Sequence, residues 1–231
     1  MKKLKYYLAS LLMLTSISVY GNKEQNQNTH NILTSVTDEI FRTYIKDKLF
    51  DGADIVTAED ARTIVEINVD SLGIESLDGI TSFTNLQKLN CRYNKLTSLD
   101  LSRSVNLEYL NCFGNQLTSL DLTGLDKLTK LECAGNRLYI IHLKNVTNLE
   151  YIDCRHNKLA LLELTKCTKL KEIYCRDNQL SFLDIVTLYQ LEILSCAKNN
   201  LTSLNITSLR KLKKLLCYDN KLTFLDTRWR N

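Results

Sequence analysis

The feature that most constrains this chain is a period. Cys91, Cys112, Cys133, Cys154, Cys175, Cys196 and Cys217 recur every 21 residues, and only Cys167 falls outside the series. Asn94, Asn115, Asn136, Asn157, Asn178, Asn199 and Asn220 keep the same interval, three residues after each cysteine. Leu86, Leu107, Leu128, Leu149, Leu170, Leu191 and Leu212 do so five residues before it, and other Leu or Ile columns fill the unit. A short unit of this kind cannot bury its own apolar face. Stacked neighbours make one continuous core instead.

Within a unit, Leu89 and Cys91 alternate with Lys88, Asn90 and Arg92. A period of two marks a short strand with one buried and one exposed face. Repeated in register, such strands lie parallel about 4.8 Å apart and line one side of a coil. The Asn side chain is suited to pair backbone groups left open where the chain turns inward. Its recurrence therefore predicts a structural role.

The unit, L-x-x-L-x-C-x-x-N-x-L-x-x-L-x-L, resembles the leucine-rich-repeat family, and in particular its internalin-like branch. Cys in place of Leu is similar to the cysteine ladder of the internalin J type, and similar repeats occur in exported Bacteroidetes proteins. The resemblance implies an α/β-type leucine-rich-repeat solenoid. It would be a curved right-handed coil with a parallel sheet on its concave side and irregular or short-strand structure on its convex side. It implies recognition of a partner, since repeat scaffolds host many ligands.

Residues 64–227 are expected to hold about eight repeats. The first is atypical: Ile67, Val69, Leu72, Ile74, Leu77, Ile80 and Phe83 fit the template offset by 22 residues. Residues 35–63 are expected to form a helical cap on the open end of the core. Thr37 would cap a helix from Asp38 to Leu49, with Ile40, Phe41, Tyr44, Ile45 and Leu49 on one face. Thr57 would cap a shorter one from Ala58 towards Ile64. Residues 22–34 read as a polar linker and 228–231 as a short end. Lys2, Lys3 and Lys5 before an apolar run from Tyr6 to Tyr20 read as an export signal over residues 1–21. That run is too short for a transmembrane helix, which needs about 20 apolar residues. The expected location is secreted, periplasmic or cell-surface. Internalin-like proteins usually carry an attachment, and no sorting motif follows Leu225, a departure from the family pattern that counts against surface anchoring.

The formal charge of +4 nearly vanishes without the three leader lysines. A near-neutral mature chain offers no basic stripe for nucleic acid. The ladder thiols, about 5 Å apart and pointing one way, suit neither disulfides, whose β-carbons sit about 3.8 Å apart, nor tetrahedral zinc. They read as inert core residues, which leaves Cys167 as the expected reactive thiol. Phe50 to Glu59 faintly matches a calcium loop, but Lys48, Phe50 and Gly52 stand where carboxylates belong. His30, His142 and His156 share no spacing with a nucleophile. No enzyme activity, metal or cofactor is expected.

The variable, outward positions of the strands remain. Tyr109, Phe113, Tyr151, Arg155, Tyr174, Arg176 and Tyr218 fall there. Aromatic and Arg side chains dominate binding hot spots. They predict a protein partner, of host or envelope origin, on the concave face. The bland alternative is that Arg155 pairs with Asp153 or Glu172 and the tyrosines only cover neighbours. Carbohydrate binding by aromatic stacking, assembly through the carboxy-terminal end and periplasmic inhibition are the other readings.

Overall fold

A computed structural model describes residues 30–225. The expected export signal, most of the linker and the last residues lie outside that range. Eight three-residue strands build one parallel sheet: β1 (Glu66–Asn68), β2 (Lys88–Asn90), β3 (Tyr109–Asn111), β5 (Lys130–Glu132), β7 (Tyr151–Asp153), β8 (Glu172–Tyr174), β9 (Ile193–Ser195) and β10 (Lys214–Leu216). Each coil places its strand beside the one before, so Leu89 meets Leu110 and Ile152 meets Ile173. On another side of the coil, β4 (Ser119–Asp121) pairs in parallel with β6 (Ile140–His142).

The period of two resolves as read. Leu89, Cys91, Leu110, Cys112, Leu131 and Cys133 are fully buried in one continuous core. Leu72, placed in the first-repeat template as a core residue, is instead exposed. It occupies the position whose buried amide bonds the backbone in later coils, a role that a leucine side chain cannot fill.

The Asn column closes those turns. Asn136 Nδ2 donates to Cys112 O at 2.9 Å and to Cys133 O at 3.1 Å, while its Oδ1 accepts from Leu117 N at 3.0 Å. Asn115, Asn157, Asn178, Asn199 and Asn220 repeat this pattern one coil apart. Asn94 starts the series with Val69 O, Cys91 O and Ile74 N. Each amide thus satisfies buried backbone groups of two successive coils, which would otherwise cost about 1–3 kcal/mol apiece. The residue before each Asn takes a left-handed backbone, from Tyr93 (φ 52°) through Gly114, Gly135, His156, Asp177 and Lys198 to Asp219. Only two of these are glycine, so the amide bonds hold ordinary residues in a conformation they disfavour by about 1–2 kcal/mol each.

A helical piece covers the first coil. Helix α1 (Glu39–Tyr44) continues as a wider turn over Ile45–Leu49, and α2 spans Ala58–Ala61. Two details differ from the expectation. Asp38, not Thr37, caps α1 by accepting from Phe41 N at 2.9 Å, and Thr37 donates to Asp78 Oδ2. Ile40 is exposed while Phe41 and Ile45 are buried, because the face towards the core follows Phe41. The second Asp38 oxygen accepts from Glu75 N at 2.8 Å, which ties cap to coil. Burial alone pushes the Asp38 carboxyl up, but the amides of Glu75, Phe41 and Ser76 outweigh it and hold it below the ordinary value. Thr57 and Asp60 form a reciprocal capping box on α2. Packed structure begins ahead of residue 35: Ile32 and Leu33, inside the expected linker, belong to the core.

Candidate functional site

The sheet strands send every second side chain outward, and these side chains touch one another in a band along the coil axis. At β5, Lys130 Nζ lies 2.5 Å from Glu132 Oε1, 5.3 Å from the centre of the Tyr109 ring and 5.0 Å from that of Tyr151. Glu132 also accepts from Tyr109 Oη at 3.0 Å and from Asn111 Nδ2 at 2.7 Å. Tyr151 and Tyr174 pack with ring centres 5.5 Å apart. Arg155 lies over Tyr174 at 5.5 Å and makes a double hydrogen bond to Asp153, at 2.9 and 2.7 Å. Tyr174 Oη donates to Glu172 at 2.7 Å. Arg176 reaches across Ala197 to lie 5.6 Å from the centre of the Tyr218 ring, two coils away.

The sequence-selected residues therefore fall into groups. Tyr109, Tyr151, Tyr174 and Arg155 belong to one network, joined through Lys130 and Glu132. Arg176 and Tyr218 form a pair beyond it. Phe113 packs edge-to-face on Tyr93 with ring centres 5.0 Å apart. The sequence does not single out Tyr93, Lys130 and Glu132. Tyr93 lies in the left-handed column, where a period-two reading gives no orientation.

Not every outward position is exposed. Asn111, Asp153, Ser195, Ala134 and Ala197 are buried, because taller neighbours close over them. The pairing of Arg155 with Asp153 agrees with the bland reading for that residue. Arg176 has no such acidic partner, and its Nε, shielded from solvent, has no hydrogen-bond acceptor among the described residues. Between these groups lies a shallow depression of about 300 Å³, lined by Arg92, Tyr93, Phe113, Glu132, Tyr151 and Arg155 among others.

Burial raises the tyrosine hydroxyls of the band. Tyr174 is pushed up to about 12 by burial and by its bond to Glu172. Tyr151 rises further, through burial and then the nearby Asp153 carboxylate. These phenols stay neutral at physiological pH and act as hydrogen-bonding apolar surfaces.

All eight cysteines are free thiols. Burial pushes Cys112 and Cys196 up to about 12 and Cys167 to about 11. The expectation that Cys167 would be the reactive thiol is overturned. It is buried, with Sγ 3.3 Å from Val146 O, because it continues the apolar column of Leu125, Val146 and Leu188. Cys217, in the last described coil, is the partly exposed one. Among the described residues, no group of three or more His, Cys, Asp or Glu side chains is placed to hold a metal ion, and no helix is long and apolar enough to cross a membrane.

The family model described as Leucine Rich Repeat matches residues 106–128. The functional domain of InlJ from Listeria monocytogenes, described as including a cysteine ladder, is similar at 27% identity with a TM-score of 0.54. The likeness covers 87% of this chain and 54% of that one, so this chain spans about half the length of that domain. Internalin C2 from Listeria monocytogenes is similar in fold at 22% identity and a TM-score of 0.57, covering 80% of this chain and 96% of that chain. The leucine-rich-repeat ectodomain of the plant receptor kinase GASSHO1/SCHENGEN3 from Arabidopsis thaliana, solved in complex with Casparian strip integrity factor 2, shares the fold at 19% identity. Its TM-score is 0.60, over 73% of this chain and 23% of that chain. No curated protein matches.

Proposed function

We propose that this chain, a leucine-rich-repeat protein of internalin-like build, is an exported recognition module that binds a protein partner across the outward face of its eight-stranded sheet. The observation that carries the reading is the prearranged band of Tyr109, Lys130, Tyr151, Tyr174 and Arg155, extended by Arg176 and Tyr218. The tyrosines bring large area with few free rotations, and Lys130 and Arg155 are already held by Glu132 and Asp153. A partner meeting such a surface loses little side-chain freedom on binding. The plant receptor ectodomain, solved in complex with a factor, supports a protein partner for this fold. The basic start followed by an apolar run supports export, and the internalin likeness supports a surface or extracellular setting such as adhesion.

The test is a pull-down from envelope and host-cell extracts with the wild-type chain and a Tyr151→Ala/Tyr174→Ala/Arg176→Ala variant. A protein held saturably by the wild type and released by the variant supports the site. Equal retention by a variant whose circular dichroism is unchanged places the partner elsewhere.

A further inference from the structure

A second column of side chains has no part in the core or the sheet face. Ile140, Leu161 and Phe182 stand at one position of successive coils, and after Ser203 the column resumes at Phe224. Their exposures are 42%, 53%, 56% and 73%. The coils hold them in register: Ser119 pairs with Ile140, and Gln179, Asn200 and Lys221 each donate a backbone bond to the coil before. The result is an apolar stripe along the solenoid, bordered by exposed Tyr139 and Val186. A single exposed leucine needs no explanation, whereas a contiguous row marks an interaction surface.

The flanks indicate what covers it. Three residues before the stripe runs a column of cations and amides: Arg137, Lys158, Gln179, Asn200 and Lys221. Two residues after it come His142, Glu163, Asp184 and Asn205, acidic at its centre. Lys158 Nζ lies 5.5 Å from the centre of the Tyr139 ring, so the cationic column leans on the border of the stripe. The stripe thus separates opposite charges.

We infer that this stripe is a self-association surface, covered by the same stripe of a second copy of this chain lying parallel and side by side. A twofold axis along the stripe swaps left and right between the copies, so each cationic flank faces the other copy's acidic flank, twice over. An axis across the stripe sets like charge against like. Closed twofold dimers are the commonest soluble assembly. A specific interface of this type removes about 800 Å² from each partner, with an apolar centre and a polar rim. The stripe with Tyr139 and Val186 supplies the centre, and the two charged columns supply the rim. This surface is separate from the sheet face, so either can fail alone.

Sedimentation equilibrium of the full chain tests it. The wild type is expected to dimerise with a Kd on the order of 10 µM. Phe182→Asp, at an exposed position, is expected to weaken this at least tenfold with an unchanged circular dichroism spectrum. Ser203→Phe completes the stripe and is expected to tighten it. Arg137→Glu/Lys158→Glu and Glu163→Lys/Asp184→Lys should each dimerise poorly alone and pair well when mixed. A wild type that stays monomeric at about 100 µM, a Phe182→Asp variant that dimerises like wild type, or charge variants that do not rescue each other when mixed, overturns the inference.

Discussion

The two faces of each sheet strand obey opposite rules. Inward, the same side chains recur in coil after coil, and nearly every buried polar group has its partner, down to the Asn amides that bridge successive turns. Outward, the same three positions run through Arg, Phe, Ala, Tyr, Lys and Glu, joined by contacts that follow no period. The lesson is that the interior is set by stacking, which repeats by construction. The exterior is free of that requirement, so it can carry recognition. Changes to the inner face should then cost more stability than changes to the outer face.

The inner face is most exposed to alkali. The unfolded thiols ionise near their ordinary value of 9.0, while burial holds Cys112 and Cys196 up to about 12 and Cys167 to about 11. With the folded values raised, the thiols' stabilising contribution is fully present below pH 9. It is lost as pH rises from 9 towards 12, because only the unfolded chain releases protons there. Each buried thiol contributes about 1.4 kcal/mol of lost stability per pH unit, and several act together. Urea midpoints measured from pH 8 to pH 11 should fall steeply, and Cys112→Ala should flatten the slope by one proton. A flat profile would mean that the thiols are not buried as a row.

Next comes Asn136→Ala, which leaves Leu117 N, Cys112 O and Cys133 O without their shared partner. Asn115 still donates to Cys112 O and Asn157 to Cys133 O, so Leu117 N is the group left unpaired, and the expected loss at neutral pH is about 2–3 kcal/mol. Urea unfolding with an unchanged m-value measures it. A loss below about 1 kcal/mol would show that water replaces the amide.

Legibility divides along the same line. The stacked coil, the buried ladder and the Asn turns could be read from columns in phase, because one orientation repeated many times outweighs any local ambiguity. The left-handed position before each Asn could not: it holds Tyr93, His156 and Lys198 as well as Gly114 and Gly135, so residue type alone does not mark it. Nor could the burial of Asn111 and Asp153, which depends on the size of neighbours one coil away. The burial of Cys167 is legible in its own apolar column, and the residue stands apart only beside the other cysteines. The cap gave its helix but not its capping residue, because Thr37 and Asp38 are adjacent and both are able to cap. Asp38 alone also reaches Glu75.

Gly114→Ala probes the seam between the two faces. A β-carbon there would sit 2.8 Å from the Tyr93 ring, on a backbone at φ +66°. Tyr93 must move, and its edge-to-face contact with Phe113 must open. The expected cost is about 2 kcal/mol, from the strained backbone and the displaced ring. Thermal unfolding checks it, and a shift in tyrosine fluorescence should accompany it.

The smallest effects separate the arginines of the outer face. Arg155 holds the Asp153 carboxylate, whose side chain is only 7% exposed, so Arg155→Ala leaves a nearly buried charge with little beyond a backbone amide. About 1 kcal/mol is expected, kept low because the Arg155 side chain is itself 41% exposed and screened by water. Among the described residues Arg176 has only the Tyr218 ring, so Arg176→Ala should cost no more than about 0.5 kcal/mol. Paired denaturation curves resolve the two. Equal losses would mean that the outer face is held as tightly as the inner one and that Arg176 is not free to meet a partner. A clear gap leaves Arg176 as the cation whose removal tests binding without disturbing the fold.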